Sequence, residues 1–93
     1  MIGTDDCNLI RGLIAHRKMF RIGARGIAIE LVPISYSDTW RVIVERASMD
    51  MICEDVDVCE DEDATVLECY PDKDRKYCLL FNLDNYSTVR RLP

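Results

Sequence analysis

Basic residues are missing from the middle of this 93-residue chain. No lysine or arginine occurs in residues 47–72, which hold ten acids and carry a net charge of −10. The flanking segments, residues 1–46 and 73–93, carry +2 and +3, so the whole chain carries −5. A net negative charge disfavours non-specific binding to nucleic acids and to anionic membranes.

Histidine is almost absent, since His16 is the only one. Nucleophilic catalysis requires a base beside the nucleophile. The chain also lacks the glycine-rich phosphate-binding motifs and the nucleophile-elbow motif. We therefore expect a protein without enzymatic activity, catalytic residues or a cofactor.

Closely spaced metal ligands are absent as well. Five residues separate Cys53 from Cys59 and eight separate Cys69 from Cys78, whereas zinc sites use cysteine or histidine pairs two to four residues apart. In an EF-hand loop beginning at Asp55, three key positions would hold unsuitable residues: two that require an oxygen ligand and one that requires glycine. We expect no metal centre, and a weak surface cation site among the carboxylates is the alternative.

Long apolar runs are also missing. None approaches the ~18 residues that cross a bilayer, and the first residues, MIGTDDC, lack the basic and apolar regions of a secretory signal. The five cysteines are odd in number. Together these features predict free thiols, a reducing cytoplasm and one small domain over residues 1–93.

The most informative stretch that is present is the acidic segment Met49–Asp63. Valines alternate with acids in it, and alternate residues of a strand point to opposite faces. We predict a strand from Met51 to Cys59 that buries two valines and runs into an acidic loop at Glu60–Asp63. Its eight carboxylates are Asp50, Glu54, Asp55, Asp57, Glu60, Asp61, Glu62 and Asp63.

The N-terminal segment has the pattern of a helix. Thr4 can cap the first turn, and the two aspartates that follow it suit the positive end of the helix dipole. At 100° per residue, Leu9, Leu13 and Phe20 lie on one face. With Gly23 as the C-terminal cap, we predict a helix from Asp5 to Arg21.

Two β-branched runs follow. Ile27–Ile34 is typical of a strand, and Pro33, which cannot donate a hydrogen bond, predicts that this strand lies at a sheet edge or is bulged. Trp40–Arg46 fits either a strand, with Trp40, Val42 and Val44 on one face, or a helix. The poor helix propensity of its β-branched residues favours the strand.

The C-terminal part has the pattern of a hairpin and a last strand. The segments Ala64–Tyr70 and Lys76–Leu83 flank the turn sequence PDKDR, and a symmetric hairpin places Cys69 opposite Cys78. A short strand is predicted over Thr88–Leu92. The fold class is therefore α+β, with an N-terminal helix packed on an antiparallel β-sheet of about four to six strands.

A basic patch on the predicted helix provides one functional hypothesis. Its four members fall within about 120° of arc: Arg11, Arg17, Lys18 and Arg21. They would suit a small nucleic-acid-binding regulator. No aromatic residue interleaves with them as single-strand binding requires, and the net negative charge favours bases that solvate a surface or pair with the protein's own acids.

The acidic segment provides the favoured hypothesis. Asp55 and Asp57 on one face of a strand would stand about 6.6–6.8 Å apart, which is close to the spacing of phosphates along one nucleic-acid strand. We predict a small non-enzymatic inhibitor whose acidic strand and loop, residues 50–63, occupy a basic, nucleic-acid-binding surface of a partner protein. Direct contact with nucleic acid or membrane is not expected, and self-association is compatible with this hypothesis.

In size, acidity and lack of catalytic residues the chain resembles the broad class of small phage-encoded inhibitors of host defence. That class includes anti-CRISPR proteins and nucleic-acid mimics. The chain resembles toxin-neutralising immunity proteins equally well. The first resemblance implies action in a host cytoplasm.

Overall fold

The computed structural model describes residues 2–93 and contains one helix and eight strands. The elements are α1 (Thr4–Ala15), β1 (Phe20–Ala24), β2 (Ile27–Pro33), β3 (Trp40–Val44), β4 (Met49–Cys53), β5 (Asp55–Glu60), β6 (Thr65–Tyr70), β7 (Leu79–Asn82) and β8 (Thr88–Arg91). The α+β class with an N-terminal helix and antiparallel strands is confirmed. The strands form two sheets, a large sheet in the order β4-β3-β2-β1-β8 and a small sheet in the order β5-β6-β7.

The helix and both sheets share one core. Helix α1 packs against β5 of the small sheet and β8 of the large sheet, so it bridges the two. Fully buried side chains come from all three layers: Cys7 and Ile10 from α1, Phe20, Ile22, Ile29, Leu31, Val42 and Cys53 from the large sheet, and Leu67 and Cys69 from the small sheet. Neither sheet therefore has a core of its own.

The helix is shorter than the sequence predicts, because it ends at Ala15 rather than Arg21. Arg17 adopts the left-handed conformation, with φ of 51°. The N–H of Arg17 donates to the carbonyl of Ile14 (3.1 Å), and the N–H of Lys18 donates to that of Leu13 (2.9 Å). This is a Schellman motif, in which glycine usually occupies the left-handed position.

Three details of the predicted helix change with this early end. Gly3 rather than Thr4 precedes the first helical residue. Phe20 and Gly23 lie in strand β1 instead of the helix. Leu9, predicted to be in the core, is 45% exposed, because Cys7, Ile10 and Leu13 form the buried face of the shorter helix.

Strand β2 lies at the centre of the large sheet, so the prediction of an edge or bulged strand was wrong. Pro33 is the last residue of β2 and stands in regular register opposite Trp40. At a strand end, its missing N–H removes no hydrogen bond from the middle of the ladder. The strand interpretation of residues 40–46 is confirmed, with Trp40, Val42 and Val44 buried along β3.

The predicted acidic strand is two strands in different sheets. Cys53 ends β4 opposite Trp40 in the large sheet, and the N–H of Glu54 donates to the carbonyl of Tyr70 (2.8 Å) at the start of the small sheet. Because the chain turns at Glu54, the alternation of faces is reset, and Cys53 and Val56 both point into the core. Cys53 is fully buried.

The C-terminal hairpin is confirmed with a different register. Cys69 stands opposite Leu79 and not opposite Cys78, which is exposed. The connection between β6 and β7 contains Arg75 in the left-handed conformation, with φ of 56°. The predicted last strand is observed as β8, which pairs with β1. Within residues 2–93, no helix is long and apolar enough to cross a membrane.

Candidate acidic interaction surface

The fold separates charge between its two sheets. Residues 54–86, which contain the small sheet and its loops and are called the acidic unit below, hold eleven acids and three bases, a net charge of −8. The rest of the chain, with the helix and the large sheet, holds six acids and nine bases, a net charge of +3. The acids that matter most for an interaction are therefore those of the acidic unit.

The structure does not bring the eight predicted carboxylates onto one surface, because Asp50 lies on the outer face of the large sheet. Its carboxylate accepts two hydrogen bonds from Arg41, from Nε at 2.9 Å and from Nη2 at 2.5 Å. This bidentate contact lowers the pKa of Asp50 and satisfies its charge. The charge of Asp50 is therefore compensated within the large sheet, apart from the other seven carboxylates.

Two acids of the predicted site are engaged by bases of the protein itself. Asp55 pairs with Arg75, whose guanidinium also lies over the ring of Tyr70, 4.3 Å from its centroid. Glu60 accepts hydrogen bonds from Arg11 of α1 (3.3 Å) and from the Thr4 hydroxyl (3.1 Å). These two carboxylates hold the acidic unit together and tie it to the helix.

The remaining acids are not neutralised. Five acids of the predicted site form no ion pair within residues 2–93, and all but the first of them are exposed: Glu54, Asp57, Asp61, Glu62 and Asp63. Asp57 stands directly opposite Glu68 on β6, an arrangement of like charges that destabilises a sheet. Glu68 was missed by the sequence analysis because only strand pairing brings it beside Asp57.

Glu68 is hydrogen-bonded to a tyrosine of its own strand. Its carboxylate accepts a hydrogen bond from the hydroxyl of Tyr70 at 3.0 Å. Burial, together with this hydrogen bond, raises the pKa of Tyr70 to about 12. The tyrosine therefore stays protonated and remains a hydrogen-bond donor throughout the neutral range.

The loop after β5 has a defined shape. One carboxylate oxygen of Asp61 accepts hydrogen bonds from the N–H groups of Asp63 (2.9 Å) and Ala64 (2.8 Å), as in an Asx turn. Residues 61–65 and Asp84 line a small cavity of about 200 Å³. No group of three or more metal-ligating side chains within residues 2–93 has the geometry to hold a metal ion.

The predicted basic patch does not exist on the helix. Arg11 is its only member on α1, whereas Arg17 and Lys18 follow the helix and Arg21 lies in β1. The Arg17 guanidinium donates to backbone carbonyls of residues 34–39 at 2.9–3.3 Å and lies 5.2 Å from the centroid of Trp40. Arg21 pairs with Glu30 and Glu45, at 3.2 and 3.0 Å. Three of the four bases are thus engaged in separate contacts within the protein, and Lys18 is exposed.

All five cysteines are free thiols. Cys59 and Cys78 are exposed and lie in the acidic unit, whereas Cys7, Cys53 and Cys69 are buried. A hydrogen bond with the Cys53 thiol, together with burial, raises the pKa of Cys69. The same hydrogen bond lowers the pKa of Cys53, and burial raises that of Cys7. All three buried thiols pack in the hydrophobic core.

Comparison with known proteins gives no relative from which a function could be transferred. No family model, no curated protein and no solved structure matches this chain.

Proposed function

We propose that this chain is a small, non-enzymatic binding protein whose acidic unit occupies a basic surface of a partner protein. The observation that carries the proposal is the separation of charge, with −8 on residues 54–86 and +3 on the rest. A negative region on a rigid scaffold attracts a positive surface and orients the two proteins as they approach.

The uncompensated carboxylates support an interaction rather than a structural role. Asp57 and Glu68 stand opposite each other at a cost in stability, and Glu62 and Asp63 have no ion pair within the described residues. Local arrangements that oppose folding are typical of functional sites. These four residues are the proposed centre of the surface.

The partner surface is proposed to be one that normally binds nucleic acid. The acids lie along adjacent strands and a hydrogen-bonded loop, so their positions are fixed as those of phosphates are on a duplex. Asp55 and Asp57 have the spacing of neighbouring phosphates, about 6.6–6.8 Å, although Arg75 neutralises the first. Asp57 and Glu68, which face each other across β5 and β6, are therefore proposed to imitate phosphates in place of Asp55. The loop acids Glu62 and Asp63 are proposed to do the same.

This proposal belongs to the class of inhibitors that block a nucleic-acid-binding protein, as phage anti-defence proteins do. A toxin-neutralising immunity protein would use the same charge complementarity. The free thiols suit a reducing compartment such as the cytoplasm.

Two charge-matched double variants test the proposal. E62Q/D63N removes two charges from the acidic unit, and D5N/D38N removes two exposed charges from the rest of the molecule. Each variant and the unchanged chain serve as bait in a lysate of the cells that encode it. The protein captured by the unchanged chain should be lost with E62Q/D63N and kept with D5N/D38N, because an unpaired charge at an interface costs about 2–5 kcal/mol.

Two further measurements complete this test. Duplex DNA should compete with the unchanged chain for the captured partner, and rising salt should weaken the complex since charge steering is screened beyond ~8–10 Å. E62Q/D63N should be as stable as the unchanged chain or more stable by a few tenths of a kcal/mol, as is usual for surface changes. Equal loss of binding in both double variants, or no competition by DNA, would refute the proposal.

A further inference from the structure

An open groove of about 580 Å³ lies along β1 and β8 on the outer face of the large sheet. Its floor is made by small residues of β1 and of the segment that enters β8: Gly23, Ala24, Ser87 and Thr88. Its remaining lining residues are Arg21, Arg25 and Arg90. All charged groups that line it are thus positive, in a protein whose net charge is −5.

Strand pairing creates this concentration of positive charge. Arg21 stands directly opposite Arg90 across β1 and β8, which places their Cβ atoms about 4.5–5.5 Å apart on the same face. Glu30 and Glu45 compensate Arg21 from the other side. Arg25 and Arg90 are exposed and form no ion pair within residues 2–93. Two guanidinium groups at the groove consequently lack a counter-charge.

The floor depends on glycine at position 23. The Gly23 carbonyl accepts hydrogen bonds from the Ser87 N–H (2.9 Å) and from the Thr88 hydroxyl (3.3 Å). A Cβ atom at position 23 would lie 3.1 Å from Thr88 Oγ1, which is tighter than ordinary contact. Glycine therefore allows β8 to approach β1 closely and keeps the floor between the arginines free of side chains.

We propose that this groove binds the phosphate group of a ligand. The planar guanidinium group presents parallel N–H donors that match phosphate oxygens, and Ser87 adds a hydroxyl at the floor. No aromatic residue lines the groove, so the ligand is held through its phosphate and not by stacking of a base. The site is independent of the acidic unit and of its proposed partner.

The groove is larger than one phosphate group and falls within the usual 300–1,000 Å³ range of ligand sites. The remainder of the ligand therefore extends along the strands. Two kinds of ligand carry a phosphate group with such an extension: a small phosphorylated molecule, and the sugar–phosphate backbone of a nucleic acid. The two kinds differ in how affinity depends on ligand length and on salt.

Titration of the ¹⁵N-labelled protein with inorganic phosphate and with pyrophosphate, at constant ionic strength set by chloride, tests the proposal. Saturable shifts should appear at the amides of Gly23, Ala24, Ser87 and Thr88. R25A and R90A should each weaken pyrophosphate binding about five- to ten-fold, which corresponds to about 1–1.4 kcal/mol. R41A is the matched control, because Arg41 is an exposed arginine of the large sheet that pairs with Asp50 and lies outside the groove.

Two further titrations, with a 5′-mononucleotide and with a short DNA duplex, distinguish the two kinds of ligand. A small-molecule site should bind the mononucleotide at least as tightly as the duplex. A backbone site should bind the duplex more tightly, with log K falling against log salt at a slope of about −2 to −3 for three arginines. The proposal is overturned if phosphate and pyrophosphate cause no saturable shifts at the groove, or if R41A weakens binding as much as R90A does.

Discussion

At the scale of single residues, the five cysteines differ mainly in their access to solvent. Cys59 and Cys78 are exposed, whereas Cys7, Cys53 and Cys69 are fully buried. Burial is the largest cause that raises the pKa of Cys7, and contact with Cys53 raises that of Cys69. Because a reagent must reach a thiol to react with it, the two exposed cysteines should react much faster than the three buried ones.

Thiol titration should therefore give two results for the same protein. The native protein should expose two rapidly reacting thiols, and the denatured protein five, matching the five free cysteines. C59S and C78S should each remove one of the fast thiols without changing the slow ones. Recovery of three or fewer thiols after denaturation without an oxidant would reveal a disulfide, and Cys53–Cys69, rather than Cys69–Cys78, is then the pair that the structure brings together.

Arg17 illustrates what the sequence cannot reveal at this scale. A left-handed residue at a helix end is usually glycine, and the helix predicted from the sequence accordingly extends to a glycine cap. The strain at Arg17 is offset by hydrogen bonds to carbonyls of residues 34–39 and by its contact with Trp40. These partners lie about twenty residues away along the chain, so no local pattern marks the end of the helix.

At the scale of elements, two glycines have opposite effects on the structures that contain them. Gly26 follows β1 in its turn to β2 with φ of +71°, where other residues are strained, and a Cβ there would lie 3.0 Å from the Arg46 guanidinium. Gly12 lies within α1, and a Cβ there would have no neighbour within 4 Å. Glycine is thus required at the turn and unfavourable in the helix.

Alanine at these two positions should change stability in opposite directions. G26A should lower the free energy of unfolding by about 1 kcal/mol, because alanine resists a positive φ. G12A should raise it by about 0.8–1 kcal/mol through better helix propensity. Denaturant unfolding of the two variants and the unchanged chain measures both values. Destabilisation by G12A would mean that the helix surface at this position packs more tightly than described.

The elements themselves were largely predictable, but their bounds and registers were not. Alternating valines and acids correctly predicted that Val56 and Val58 are buried. The same alternation concealed the division at Glu54, since the chain changes sheets there without a glycine or proline. In the hairpin, the connection that contains Arg75 in the left-handed conformation shifts the register by one residue from the predicted one. A shift of one residue reverses the face of every side chain in a strand.

At the scale of the whole molecule, the two sheets stabilise each other through their shared core. Leu67 of the small sheet is fully buried, and Trp40 of the large sheet is 2% exposed in the same cluster. Leu80, in the neighbouring strand β7, is 65% exposed. The acidic unit and the large sheet should therefore unfold together.

L67A should destabilise the protein by about 2–5 kcal/mol, since it leaves a cavity in the core. The loss should appear equally in Trp40 fluorescence, which reports on the large sheet, and in the far-ultraviolet circular dichroism of the whole chain. L80A is the control and should change stability by less than about 0.5 kcal/mol. Separate transitions for the two signals would indicate that the sheets unfold independently.

The candidate surface was predictable only in part, because charge is visible in the sequence but pairing is not. The run of acids pointed to residues 50–63, and five acids of that run form no ion pair within residues 2–93: Glu54, Asp57, Asp61, Glu62 and Asp63. Asp50 was assigned to the site because it is close in sequence, yet it lies in another sheet and pairs with Arg41. The arginine groove depends on contact between residues near positions 21 and 90, which lie at opposite ends of the chain.

The separation of charge between the sheets also affects how copies of this protein meet one another. The acidic unit of one molecule is complementary in charge to the arginine groove of another, and a contact between them would be head-to-tail, because it would join two different surfaces. Such heterologous contacts extend into open chains unless their geometry closes a ring. The range of the electrostatic attraction that drives such contacts grows from about 8 Å in physiological salt to about 30 Å in dilute buffer. The solubility of the protein should therefore rise as salt is added. Phosphate, because it binds in the groove, should dissolve such chains at a lower concentration than chloride does.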